Sequence, residues 1–398
     1  MSINDLRIAL FNYICAKQAG EQLVVRIENG DRARNIEGKD QEILEMLELF
    51  GIAYSHLYYQ SENFKYHLQF ASTFLDKKKA FICFCAEDKA SPYDGTCENL
   101  SSDEVLNNPK PFVIRMKKPD HAMSFTDAIK GVVSFEPDAI DSFVIMRQDK
   151  YPTYTFACAC DDMLQGVTTI IRGEEQLSNT PKEELIRKSL GYDQEMLYAH
   201  LPIILNEEAS VQWLLDQGFM PEAIVNYLIL LGNPTPTEIF TLEEAIAWFD
   251  IKNISKSPAH FDIDKLRFIN REHIKRIADM ELSKRIGYAC ENIGKLAKLY
   301  TEEASTTYEI KQKVDALFAK KEFYAEFENE SKLLQELILN APYFEAFDEF
   351  QAYLVEKSNL KDEAFFKPLR FWLSGADHGP ELALLYPLIK NYLKEIVR

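Results

Sequence analysis

Leu23-Val24-Val25-Arg26-Ile27, followed by Glu28-Asn29-Gly30, is the run on which the fold of this chain turns. Five residues rich in β-branched side chains, closed by Asn and Gly, read as a short strand with a turn after it. Helical periodicity lies on both sides. Over 5–17 the apolar positions Leu6, Ala9, Leu10, Tyr13 and Ile14 recur at three- and four-residue spacing, which is one face of a helix. Downstream, Ile43, Leu44, Leu47 and Phe50 make a second such face, and Gly51 can close it in a left-handed cap. Helix, strand and helix in so short a span predict a parallel sheet with crossover helices.

Further out, the pattern changes. Short apolar runs at 81–84, 112–116, 132–135 and 142–146, separated by Pro, Gly and Asp-rich turns, predict strands of an inserted α+β unit. Residues 152–205 return to apolar strands, at 169–171 and 201–205, alternating with helical segments. Beyond Ala209 the reading is helical, with Pro221 placed for a first helical position and Thr241 with Glu244 forming a capping box. Residues 281–398 carry no strand signal. The fold class is therefore α/β plus all-α.

Composition narrows the function. The 398 residues carry 45 Lys+Arg against 63 Asp+Glu, a formal charge of −18, with the acidity concentrated in the front two thirds. Such a field repels phosphate and argues against coating nucleic acid or anionic lipid non-specifically, though not against a local basic groove. No stretch approaches the roughly 18 apolar residues of a membrane span, and Met1-Ser2-Ile3-Asn4-Asp5 does not resemble a secretion signal. A cytoplasmic protein is expected. Seven cysteines without a pairing rhythm read as free thiols. The seven histidines, His200 and His260 among them, pair with no recognisable nucleophile.

Seven short strings follow one another along the chain. They are Leu6-Arg7-Ile8-Ala9-Leu10-Phe11-Asn12-Tyr13, Arg26-Ile27-Glu28-Asn29-Gly30-Asp31, Pro152-Thr153-Tyr154-Thr155-Phe156-Ala157, Asp161-Asp162, and Ile171-Arg172-Gly173-Glu174-Glu175 running on to Leu177-Ser178-Asn179-Thr180-Pro181. His200-Leu201-Pro202-Ile203-Ile204-Leu205 and Ser257-Pro258-Ala259-His260-Phe261 complete the set. In this order they resemble the bacterial glutamyl-tRNA synthetases, class I aminoacyl-tRNA synthetases. The resemblance covers 5–270 and reaches, more weakly, Pro368-Leu369-Arg370.

The resemblance implies a Rossmann-like catalytic domain in two halves, 1–73 and 149–205. It also implies an inserted tRNA acceptor-end binding domain at 74–148, a stem-contact region at 206–280 and a helical anticodon-binding domain at 281–398. The implied activity is ATP-dependent ligation of L-glutamate to tRNA(Glu), tRNA(Gln) or both, through a glutamyl adenylate. ATP and Mg2+ are the implied cofactors, and a monomer with tRNA, glutamate and ATP as partners and no membrane attachment is expected. Two other outcomes are a non-catalytic tRNA-binding paralogue and the glutamyl-queuosine tRNA(Asp) synthetase, whose lack of an anticodon module leaves the helical tail unexplained.

Activating glutamate requires a cation for a carboxylate, an acceptor for the α-ammonium and a nucleotide pocket. An arginine fork takes a carboxylate bidentately, so Arg172 at a strand end is the expected clamp, against the plainer reading of a surface ion pair with Glu174 or Glu175. Glu28, at the end of a strand where ligands of parallel sheets bind, resembles the family's ammonium acceptor. Tyr154 resembles its substrate-contacting tyrosine, or is a core tyrosine. Cys158 stands where many members have asparagine and either shapes the glutamate pocket or is a small buried residue. Glu175 and Gln176 fall where the family contacts ATP. Asp161, Arg370 and the strip of Arg115 and Lys117, with Lys118 beside it, are the tRNA-binding candidates.

The sequence also departs from the family. Members carry a His-Ile-Gly-type signature before the segment matching Leu6-Arg7, and a Lys-Met-Ser-Lys-Arg-type loop after the segment matching 201–205. Neither string is in this sequence, where Asn206-Glu207-Glu208 runs into Ala209-Ser210, so no catalytic residue is assigned. A third shortfall falls between Cys85 and Pro92. Together they amount to roughly forty residues of family length. The expectation is a native chain longer than 398 residues, with the extra residues in nucleotide-facing or exposed loops; the competing reading is a catalytically inactive relative. Glu28 and Asp31 favour the glutamyl over the glutaminyl branch, while Asn29 and Gly30 fit neither. Cys83-x-Cys85 with Cys97 resembles the zinc site that some members carry in the inserted domain. Asn99 is a poor fourth ligand there, so the readings are a zinc site short of one donor, or buried and loop thiols.

Overall fold

A computed structural model describes residues 1–30, 35–85, 93–206 and 209–398. Asp31, the shortfall between Cys85 and Pro92 and the Glu207-Glu208 junction lie outside the described residues. The chain divides into two units, one of 1–208 with 228–261 and one of 209–227 with 262–398.

The first unit opens on helix Ile3–Ala19. Ser2 caps it, accepting from the Asp5 N–H at 3.0 Å while the Asp5 carboxylate accepts from the Ser2 N–H, and Gly20 ends it at φ 66°. The expected strand is β1 (Val24–Ile27), which pairs in parallel with β2 (His56–Tyr59) across helix Lys39–Leu49. Three further strands, β3 (Ala80–Cys83), β4 (Val113–Met116) and β7 (Val144–Met146), form an antiparallel sheet in the order β3-β4-β7. Helices Phe64–Asp76, Tyr154–Gln165 and Thr180–Leu190 close a core with it, in which Phe74, Phe156 and Ile186 are fully buried. Each such side chain contributes about 1.5–3 kcal/mol by leaving water.

The sheet that positions the site has the order β6-β5-β9-β8, with β5 (Met123–Asp127), β6 (Gly131–Phe135), β8 (Thr169–Gly173) and β9 (Leu197–Leu201). β8 and β9 run parallel, with Arg172 opposite His200, and β5 joins β9 in parallel at Asp127 and Tyr198. Two differences from the sequence reading stand out here. The run at 201–205 is not one strand: Pro202, which cannot donate to a ladder, separates β9 from the two-residue β10 (Ile204–Leu205), which pairs with β11 (Ala259–His260). β5 was missed, and its hairpin with β6 ties a piece of the 74–148 segment to β9.

The second unit is helical throughout its described residues, beginning with Val211–Asp216 and continuing from Ile263–Arg276 to the end of the chain. The helical run therefore starts ahead of residue 281. Trp372 is fully buried in helix Asp362–Ser374, and its indole N–H donates to the Ser331 carbonyl at 2.9 Å. Among the described residues, no helix is long and apolar enough to cross a membrane.

Candidate active site

β1, with Arg26 on it and Glu28 just past its end, and β8, with Arg172 on it, line a cavity of about 700 Å³, to which Asn12, Tyr154, Cys158 and Asp162 also contribute. Parallel strands present their carboxyl ends to ligands in this way. All four residues proposed from the sequence for glutamate thus face one space. Tyr154 is the first residue of helix Tyr154–Gln165 and remains 45% exposed, which sets aside the core reading.

Arg172 is not the free fork the sequence suggested. Its Nη1 and Nη2 donate to the two carboxylate oxygens of Glu183 at 2.9 and 2.8 Å, Nη2 also donates to the Thr180 hydroxyl at 2.9 Å, and Nε donates to His200 Nε2 at 3.2 Å. A guanidinium has five N–H donors. Among the described residues, four are committed and one Nη1 hydrogen is left to a ligand. The expected ion pair with Glu174 or Glu175 is also replaced: Glu174 pairs with Lys130, and Glu183, which is fully buried, neutralises Arg172.

Glu28 is exposed to solvent at the cavity. Partial loss of water at the cavity wall raises its carboxyl above the ordinary range, against the smaller opposing pull of Arg26 and of the Cys158 S–H, which reaches its Oε1 at 3.3 Å. Cys158 itself is 4% exposed, and burial pushes its thiol well up, so it acts as a neutral donor in the pocket wall. Behind them Arg26 donates to Asp162 at 2.9 Å and to Gln165 at 2.9 Å, and Arg187 approaches Asp162 at 3.5 Å. The Arg26 and Arg187 charges keep this buried carboxylate compensated.

A second cavity, of about 300 Å³, is lined by Asn4, Arg7, Ile8, Gly173, Glu175 and Pro202 among others. Glu175 folds back so closely that a Cβ on Gly173 would lie 2.1 Å from its Oε2. Gln176 lines neither cavity and accepts from the Asn179 side chain at 2.8 Å.

The tRNA-binding candidates need correction. Asp161 is fully buried, with its carboxylate held by Gln60 at 3.0 Å, Asn63 at 2.9 Å and His67 at 2.8 Å, so it fastens helix Tyr154–Gln165 to the chain ahead of β3 and offers no surface. Arg115 is 5% exposed, stacked over the Tyr93 ring at 4.4 Å and donating to the Ser142 carbonyl. Lys117 lies 3.9 Å from Glu98, and Lys118 pairs with Asp138 at 2.8 Å. Arg370 donates to the Gly379 and Pro380 carbonyls, closing the turn after its helix.

Cys83, Cys85 and Cys97 come together, their sulfurs all within 4.8 Å of one another. Asn99 plays no part in the cluster. The Tyr93 hydroxyl does: it lies 3.3 Å from Cys83 Sγ and 3.7 Å from Cys85 Sγ. The Cys85 to Cys97 separation is 3.7 Å, against the edge of about 3.8 Å of a tetrahedron with metal–sulfur bonds of about 2.3 Å. Three thiols and a phenol oxygen therefore fit a zinc ion. The fourth donor atom is on Tyr93, four residues ahead of the last cysteine rather than after it.

The chain is similar to known proteins along its whole length. Residues 2–268 match the family described as tRNA synthetases class I (E and Q), catalytic domain. The chain belongs to that family. Glutamate–tRNA ligase 1 of Campylobacter jejuni subsp. jejuni is 56% identical, with 100% of this chain and 97% of the relative covered, and glutamate–tRNA ligase 1 of Nitratiruptor sp. is 52% identical over the same shares. Both matches run over 421 positions against 398 residues here, so the relatives carry segments for which this chain has no counterpart. A crystal structure of a glutamate tRNA ligase from Elizabethkingia meningosepticum, in complex with its amino acid, shares the fold with a TM-score of 0.84 at 23% identity, covering 100% of this chain and 96% of that one.

Proposed function

We infer that the chain ligates L-glutamate to tRNA at the expense of ATP. The observation that carries this reading is the meeting of Arg172 and Glu28, cation and carboxylate, with Tyr154 in one cavity lined by β1 and β8. Family membership and relatives at 52–56% identity over the whole chain support it. A glutamate molecule needs both charges: its side-chain carboxylate on the remaining Arg172 N–H and the Tyr154 hydroxyl, its ammonium on Glu28.

Held this way, the α-carboxylate oxygen attacks the α-phosphorus of ATP, and pyrophosphate leaves. The terminal ribose hydroxyl of tRNA then attacks the adenylate carbonyl, and AMP departs with the bonding pair. The chain contributes placement of the reacting groups and charge matched to them. Mg2+ travels with the triphosphate and neutralises part of its charge. The smaller cavity beside Glu175 is the proposed place for the nucleoside. The test is pyrophosphate exchange into ATP in the presence of glutamate and tRNA. Exchange is expected; tRNA binding without exchange marks the non-catalytic paralogue instead. The long helical unit speaks against the glutamyl-queuosine enzyme.

The raised titration of Glu28 gives this reading a pH signature. An ammonium needs the ionised carboxylate, so glutamate affinity falls as pH drops through the raised titration of Glu28, above the pH at which an ordinary glutamate would protonate. Glu28→Gln is expected to weaken binding at neutral pH by about 1.5–3 kcal/mol and to flatten the pH dependence. Calorimetric titrations across pH 4.5–8 check both; an unchanged slope in the variant removes Glu28 from the ammonium site.

For Cys83, Cys85, Cys97 and Tyr93 we propose a structural zinc ion. It would cross-link β3 to the segment around residue 97, away from the chemistry. Elemental analysis is expected to find one zinc per chain, and Cys85→Ser to lose it together with thermal stability. Metal-free protein that melts with the variant contradicts the assignment.

A further inference from the structure

The Arg172 guanidinium is gripped from two sides, and one grip has no counterpart in what the reaction requires. His200, on β9 opposite Arg172 on β8, is fully buried. Its Nδ1 lies 2.6 Å from Asp127 Oδ2, and its Nε2 lies 3.2 Å from Arg172 Nε and 3.0 Å from the Thr180 hydroxyl. Asp127 Oδ2 also accepts the His200 backbone N–H at 3.0 Å, while Oδ1 accepts those of Ile129 at 2.8 Å and Lys130 at 2.7 Å. Burial alone would raise this carboxyl. The hydrogen bonds from His200 and from the Lys130 and Ile129 backbone outweigh it and hold the group below its ordinary range.

The donor and acceptor pattern then fixes the ring. An ionised Asp127 can only accept, so the proton sits on Nδ1. Arg172 Nε–H can only donate, so Nε2 must present its lone pair. The imidazole is neutral, in one tautomer, and acts as the acceptor that sets the plane of the guanidinium. Glu183 and Thr180 hold only the Nη edge of Arg172, about which the fork could still swing. The His200 acceptor, set at Nε, removes the swing and fixes where the one uncommitted Nη1 hydrogen points.

We propose that His200, locked by Asp127, is a positioning residue for Arg172 and thereby determines selection of the side-chain carboxylate of glutamate over an uncharged amide. The proposal rests on the glutamate reading given above. It separates His200 from a merely packed histidine, because packing has no reason to alter the ratio of affinities for two isosteric ligands.

Two substitutions divide the ring's contacts. His200→Asn keeps an amide N–H for Asp127 but does not reach Arg172, whereas His200→Gln extends an amide oxygen toward the position of Nε2. Calorimetric titration of the full chain with L-glutamate and with L-glutamine is the measurement, with melting temperatures recorded alongside. Wild type is expected to prefer glutamate. His200→Asn should lose that preference by about 10- to 100-fold, the scale of a displaced binding group, with the glutamine affinity moved much less; His200→Gln should keep most of it. A preference in His200→Asn equal to wild type, or a proportional fall for both ligands, overturns the proposal. Should His200→Asn fail to fold, His200→Gln decides, and a selectivity as low as that of Arg172→Ala overturns it. Wild type that shows no preference for glutamate removes the glutamate reading itself, so the two failures are distinguishable.

Discussion

Arg172→Ala is expected to lower glutamate affinity by about 2–5 kcal/mol, the cost of leaving a ligand carboxylate without its charged partner. It should also destabilise the first unit, because Glu183 is fully buried and Arg172 donates to each of its carboxylate oxygens, at 2.8 and 2.9 Å. Removing one member of a buried pair costs about 3–5 kcal/mol. The two effects are separable. The double variant Arg172→Ala with Glu183→Ala removes the orphaned carboxylate and should regain much of the stability while recovering none of the glutamate affinity. Denaturation curves and calorimetric titration of the three proteins check this. Glutamate binding that survives Arg172→Ala unchanged would show that the guanidinium serves the fold alone.

The second large effect concerns the helical unit. Gly294 lies in helix Glu291–Leu299 where that helix crosses the start of helix Asp279–Arg285, and a Cβ there would sit 1.8 Å from the Asp279 carbonyl oxygen. The obstacle is backbone, which cannot swing aside as a side-chain end can. Lys298 draws the same two segments together, donating to the Ile277 carbonyl at 2.6 Å and pairing with Asp279 at 2.7 Å. Gly294→Ala must push the helices apart or strain both, at about 3 kcal/mol or more. For a unit of this size that amounts to roughly 6–12 °C in melting temperature. Calorimetric melting tests it, and a shift of less than about 1 °C would mean that the helices separate at no cost. Glutamate affinity, which rests on residues of the first unit, should stay at the wild-type value.

The parts of the fold legible beforehand are those governed by local period. β1, its flanking helices and the helical tail follow from spacing, and the capping box at Thr241 and Glu244 forms as expected. β5 was legible too: Met123, Phe125 and Asp127 are buried while Ser124 and Thr126 are exposed, a period of two that the runs on either side obscured. Partnerships across the fold were not legible. Arg172 passes over the adjacent Glu174 and Glu175 because a 3-10 turn, Glu174–Asn179, carries the chain away before helix Thr180–Leu190 brings Glu183 back. Asp161 reads as an exposed acid until Gln60, Asn63 and His67, far off in sequence, close around it. Arg115 reads as a phosphate ligand, yet its place on β4 turns it inward onto Tyr93. Composition had argued against nucleic acid, and three of the proposed tRNA contacts proved to be buried or already bonded. Asp161 and Arg115 are buried and so offer no surface to a tRNA, whereas Arg370 is half-buried.

The central claim is that this chain places glutamate on tRNA. Purified tRNA(Glu) and tRNA(Gln), each incubated with the full chain, ATP and [14C]glutamate, test it most directly. Acid-precipitable glutamyl-tRNA should accumulate with at least one of the two, dependent on ATP and abolished by Arg172→Ala. Charging of neither, by protein of verified intact mass that still binds glutamate, would contradict the account and leave a glutamate-binding relative without ligase activity.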